Sequence, residues 1–195
     1  MNNTLLWYST RGAGAVSLVL LSAVVVLGIL NVHRFETAGW PRFLTQGLHR
    51  NVSLLALVFL GVHIVTAVVD PFTSLGWLAA IVPFSSYYRT FWLGLGVVAF
   101  ELLLAITVSS LIRRQIGLRV WRAIHWLAYG CWPVAAAHGL GTGTDSGQLW
   151  MWLVVGGCVG AVGFSVAARL LLPPRDPLSE PRGDFRQRVT RGPSR

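Results

Sequence analysis

Nearly uncharged apolar runs of membrane-crossing length govern what this chain can fold into. The first extends from Gly12 to Leu30 without a charged side chain. About twenty apolar residues in an α-helix cross the ~30 Å hydrocarbon core of a bilayer, because lipid leaves every backbone N–H and C=O to be satisfied within the segment itself. Comparable runs lie at about 48–69, 91–112, 120–138 and 149–172. The first is too long for the apolar core of a signal peptide and is read as a helix. Between the second and third, the apolar stretch at 75–82 is too short to span, and Phe72, Trp77, Phe84, Tyr87 and Tyr88 around it have the composition of an interfacial belt. The pattern predicts an all-α, polytopic membrane helix bundle of about five transmembrane helices plus a short interfacial helix.

Composition agrees. Only 12% of residues are charged, and mean hydropathy is +0.61. In 195 residues the expected division is one membrane domain, 1–172, and an Arg/Pro-rich tail, 173–195, too polar to bury a core and expected to be disordered. The 16 basic residues are all arginine and give a net charge of +9. They sit between the apolar runs and in the tail, as the positive-inside rule produces, so a nucleic-acid surface is not the reading. Arg34, Arg42 and Arg50 follow the first run, and Arg113, Arg114 and Arg119 follow the third, whereas 71–90 holds only Arg89 and 139–148 holds none. This predicts a multi-pass protein of the cell membrane with its N-terminus outside and its C-terminus in the cytoplasm. Cys131 and Cys158 lie inside apolar runs and outside any Cys-x-x-Cys-His sequence, which makes them small packing residues and excludes covalent haem attachment.

Four histidines stand in the second and fourth runs: His49 and His63, then His125 and His138. Imidazole at membrane depth is costly without a partner. The charge pattern makes both runs cross in the same direction, so His49 matches His125 in depth and His63 matches His138. On an ideal helix His49 and His63 lie ~21 Å apart along the axis and only ~40° apart around it, whereas His125 and His138 are ~140° apart. Pro133 between them, or the end of the helix at Gly139, must absorb that angle, and His138 becomes the weak corner. Two imidazoles from facing helices can saturate haem iron. Zinc is a poor fit, because no Cys, Asp or Glu joins the histidines at ligand spacing. Interhelical hydrogen bonding is the competing explanation for such histidines.

Two histidines on each of two helices, with twelve or thirteen residues between them and one helix enclosed, is a pattern similar to the ferric reductase-like transmembrane domain family. That family includes ferric reductases, the haem-bearing core of NADPH oxidases and the membrane haem subunit of a bacterial methionine sulfoxide reductase system. The resemblance covers about 12–172. It implies two b-type haems, an inner one on His49 and His125 and an outer one on His63 and His138. It also implies an electron-transfer oxidoreductase subunit. No flavin or nicotinamide domain is visible here, so the expected donor is a separate flavoprotein reductase or a quinol, and the acceptor is extracytoplasmic. Arg50 and Arg122, each close to an inner histidine, are candidate partners for haem propionates, and Arg89 is a candidate at the outer side. Glu101, an acid in the middle of the third run, is a candidate proton relay, while His33 has no matching partner and is read as interfacial. The alternative is a small structural or transporter membrane subunit without haem.

Overall fold

The computed structural model describes residues 3–33, 40–71, 75–143 and 147–171, and all the regular structure among them is helical. Six α-helices follow one another: α1 Asn3–Val32, α2 Arg42–Val69, α3 Thr90–Leu111, α4 Arg113–His125, α5 Ala128–Thr142 and α6 Leu149–Leu171. A 3₁₀ turn, Trp77–Ala80, stands where the interfacial helix was expected. The helices α1, α2, α3 and α6 are each long and apolar enough to cross a membrane. The tail at 173–195 lies outside the described residues.

Local chemistry explains the boundaries. Helix α1 begins near Asn3 rather than Gly12, since nothing in 3–11 breaks a helix. Helix α2 begins at Arg42 because Pro41, extended at φ −70°, ψ 150°, occupies its N-cap. It ends at Asp70, whose extended backbone (φ −70°, ψ 115°) is what the following Pro71 imposes. Helix α3 starts after Arg89, which is left-handed at φ 40° and donates through Nη1 to the Gly141 carbonyl near the end of α5.

The fourth expected span is not one helix. Helix α4 ends at His125, and α5 starts at Ala128. Across the junction, N–H groups of Leu127, Tyr129 and Gly130 donate to carbonyls three residues back, on Ile124, Trp126 and Leu127. This is 3₁₀ winding, ~120° per residue against ~100° for an α-helix. Each overwound step adds ~20°, in the sense that narrows the ~140° offset an ideal helix would leave between His125 and His138. The correction therefore occurs at Trp126–Leu127, before Pro133, which sits inside α5. Arg169 of α6 braces the junction. Its guanidinium lies 4.7 Å from the Trp126 ring centre and 5.2 Å from that of Tyr129, and it donates to the Tyr129 hydroxyl.

Helix α1 is the hub, packed along α2 and also against α5 and α6, while α3 packs along α5. One buried cluster joins Leu18, Val25 and Ile29 of α1 to Trp132 and Ala136 of α5 and Val155, Cys158 and Val162 of α6. Within it the Trp132 indole N–H donates to Ser22 Oγ at 2.8 Å. A second cluster joins Ala99 and Ile106 of α3 to Cys131 of α5. Both cysteines are free and buried. Helix α2 reaches the bundle through α1 and the 3₁₀ turn, without extended backbone packing on α3 or α5. The two histidine-bearing elements thus face each other across an interior gap.

Candidate functional site

The gap brings the histidines together in the two pairs that depth matching predicts. Ring centres of His49 and His125 are 6.4 Å apart, with 63° between the ring planes. Those of His63 and His138 are 6.2 Å apart at 79°. All four rings are half-buried. Around the second pair lies an apolar cavity of about 280 Å³, walled by Gly14, Ala56, Leu60, Gly96, Phe100 and Leu103 among others.

Three of the rings are fixed in the same way. His63 Nδ1 lies 2.8 Å from the Thr10 carbonyl, His49 Nδ1 lies 3.1 Å from that of Val24, and His138 Nδ1 lies 2.8 Å from that of Trp92. A carbonyl only accepts, so Nδ1 carries the proton and donates, which leaves Nε2 with the lone pair a metal takes. Thr142 Oγ1 stands 3.2 Å from the same His138 nitrogen.

Each carbonyl is reached over a glycine four residues further along its helix. Gly14 lies over His63, Gly28 over His49 and Gly96 over His138. A Cβ built at Gly96 would meet the His138 ring at 2.5 Å, and one at Gly14 would meet His63 at 2.9 Å. The absent side chain is therefore what lets those rings approach the helix backbone. None of these glycines was a candidate from the sequence, yet a signal was present. Gly14 and Gly28 are fourteen residues apart, as are His49 and His63 on the antiparallel neighbour.

His125 is the exception. Its Nδ1 is buried with no hydrogen-bond partner among the described residues. The Trp121 ring lies against it instead, with centres 5.0 Å apart and planes at 31°. The corner that the spacing marks as weak, His138, is thus anchored, and the unanchored nitrogen belongs to the other pair.

The remaining candidates fall outside the gap. Arg50 and Arg122 are exposed, one residue after His49 and three before His125. Arg89 is bonded to Gly141. Glu101 is exposed on α3. His33 follows α1, and its buried Nε2 has no hydrogen-bond partner among the described residues.

Among the described residues no group of three or more His, Cys, Asp or Glu side chains converges. Zinc, which draws three or four ligands from protein, has no site there. Two neutral imidazoles can serve a metal whose other positions are filled by its own macrocycle.

A family model described as ferric reductase like transmembrane component matches residues 13–136. The matched stretch contains His49, His63 and His125 and stops two residues before His138. No curated protein and no solved structure matches the chain.

Proposed function

The chain belongs to the ferric reductase like transmembrane component family, a family of membrane redox proteins, and from that premise we propose that it carries electrons across the membrane on two b-type haems, each held by a pair of histidines. His49 and His125 hold the inner group and His63 and His138 the outer one. The donor is a flavoprotein reductase or a quinol, and the acceptor is extracytoplasmic. Arginines at 113, 114, 119 and 122 mark the cytoplasmic side, which leaves the N-terminus outside.

The observation that carries this reading is the separation of the rings. A first-row metal holds an imidazole nitrogen at ~2.0–2.1 Å. The centre of a five-membered ring built from ~1.33–1.4 Å bonds lies ~1.2 Å behind that nitrogen. Two imidazoles on opposite sides of one metal therefore have centres ~6.4 Å apart, against 6.4 Å and 6.2 Å here. The angles between ring planes are no obstacle, because both planes can contain the axis joining the two nitrogens.

The groups held there by the four histidines would supply a one-electron iron couple suited to electron transfer. The residues do the rest. Nδ1–H bonds to Thr10, Val24 and Trp92 fix tautomer and ring orientation and raise the basicity of the opposite nitrogen. The apolar wall formed by Leu60, Phe100 and Leu103 excludes water and lowers the local dielectric. Arg50 and Arg122, exposed and close in sequence to the inner histidines, would be the partners of the inner propionates.

The test is an absorption spectrum of the purified full chain expressed with ample haem supply. A Soret band, b-type α bands that sharpen on dithionite reduction and two haems per chain are expected. His63→Ala and His49→Ala should each remove about half of the haem. A protein without a Soret band refutes the proposal and leaves the structural-subunit alternative.

A further inference from the structure

Three of the histidines are served by two helices, α1 for His49 and His63 and α3 for His138, and on α1 the service repeats after fourteen residues. On α1 the carbonyl and glycine are Thr10 with Gly14 and Val24 with Gly28. On α3 they are Trp92 with Gly96, and fourteen residues on stand Ile106 and Ser110. The register between α3 and α5 supports that match. His138 bonds to Trp92, and seven residues earlier on α5 Cys131 Sγ donates to Ala99, seven residues later on α3. Continuing by six positions brings His125 level with Ala105 and Ile106. Beyond it, Trp121 donates through its indole N–H to Ser110 Oγ at 3.2 Å.

Position 110 breaks the rule. Serine stands there instead of glycine, and the Ile106 carbonyl is already taken, accepting from Ser110 Oγ at 2.7 Å and from Ser109 Oγ at 3.0 Å. We infer that Ser109 and Ser110, by capping the Ile106 carbonyl and keeping a Cβ over it, withhold from His125 the Nδ1 hydrogen bond given to the other three histidines, and thereby set a higher reduction potential at the inner pair. Trp121, anchored on Ser110, holds the ring by stacking in place of that bond. This rests on the haem reading of the two pairs.

The physical reason lies in ligand basicity. An imidazole whose Nδ1–H donates to a carbonyl is the stronger electron donor and favours the oxidised metal. Without that acceptor the ligand is less basic, the reduced metal is relatively favoured, and the potential rises. A higher potential at the cytoplasmic pair makes it the readier acceptor of the single electron that a flavin or quinol donor delivers.

The experiment is a potentiometric titration of the purified full chain, followed at the α band and by electron paramagnetic resonance of the ferric form. Wild type should titrate as two one-electron components, and His49→Ala identifies the inner one by removing it. In a Ser109→Ala background, Ser110→Gly frees the carbonyl and removes the Cβ. It should lower the inner component by about tenfold in the ferric–ferrous equilibrium, ~59 mV for one electron, and leave the outer component in place. Ser110→Ala in the same background loses the Trp121 anchor as the glycine variant does but keeps the Cβ, so it controls for that loss and should not show the tenfold fall. An unmoved or raised inner potential in the glycine variant overturns the inference, as does an equal shift in the alanine variant. Loss of the inner haem from the glycine variant also overturns it, since an added acceptor should not weaken the site. A wild type without haem signals refutes the underlying proposal instead.

Discussion

Alanine at each of three glycines grades the site by distance. A Cβ at Gly96 would stand 2.5 Å from both Nδ1 and Cε1 of His138 and 2.9 Å from Cγ. Ordinary carbon contacts are ~3.5–4.0 Å, so the ring must withdraw by ~1 Å. That lengthens the 2.8 Å bond to Trp92 beyond the ~3.2 Å reach of an N–H···O hydrogen bond, and it exceeds the ~0.2 Å tolerance of a metal–ligand distance. Loss of such a supporting bond costs ~10–100-fold in affinity before the displaced ligand is counted. At Gly14 the built Cβ lies 2.9 Å from His63 Nδ1 and 3.0 Å from Cε1, a smaller but definite clash. At Gly28 the nearest atom is His49 Cε1 at 3.4 Å, close to ordinary contact, and alanine there gains up to ~1 kcal/mol of helix propensity. The order of haem loss should therefore be Gly96→Ala, then Gly14→Ala, with Gly28→Ala retaining both haems and melting no lower than wild type. Pyridine haemochrome assay per protein and thermal unfolding measure the two quantities. Equal loss in all three variants, or the largest loss from Gly28→Ala, would refute the argument that these glycines exist to admit imidazoles.

Arg169→Leu removes the brace from Trp126 and Tyr129, worth ~0.5–2 kcal/mol as a cation–π contact. It should loosen the inner haem more than the outer one, read as a biphasic loss of haem on heating in place of a single phase. Trp132→Phe deletes the indole donor to Ser22, whose hydroxyl still donates to Leu18. The expected cost is ~1 kcal/mol, seen as a lower unfolding midpoint with both haems retained. Arg50→Gln and Arg122→Gln should each speed inner-haem transfer to apomyoglobin without altering the outer haem, and unchanged transfer would show that these arginines serve only the membrane surface.

The bundle and the histidine pairing were legible because both follow from periodicity and charge. Uncharged runs mark helices wherever lipid forbids unsatisfied backbone, and alternating arginine density gives their directions, so His49 falls opposite His125 without knowledge of any contact. The start of α1 at Asn3 and of α2 at Arg42 was harder to see, because a helix can continue past the hydrocarbon edge into polar residues with no change in backbone geometry. The break at Trp126–Leu127 was hidden for a related reason. Neither residue is a helix breaker, and the 3₁₀ winding there is a tertiary outcome, stabilised by Arg169 from another helix, while Pro133, the visible breaker, lies inside α5. The supporting carbonyls could not be read at all, since every residue has one. Only the glycines above them leave a mark, and it has meaning only once α1 is laid antiparallel to α2.

That mark also explains the spacing. Fourteen α-helical steps fall ~40° short of four full turns, so two residues fourteen apart on α2 share a face, and two glycines fourteen apart on α1 share the face that meets it. Both helices can remain regular and serve two sites ~21 Å apart. Thirteen steps on the α4–α5 side do not close in this way, and the chain there pays in regularity, with a helix break between its two histidines. The irregular side is also the one where the fourth carbonyl is capped and a tryptophan replaces a hydrogen bond. Regular geometry imposes equivalent surroundings on sites related by the repeat. The departure from it at Trp126–Leu127, with Ser110 in place of a glycine, is what allows His125 to be held differently from the other three.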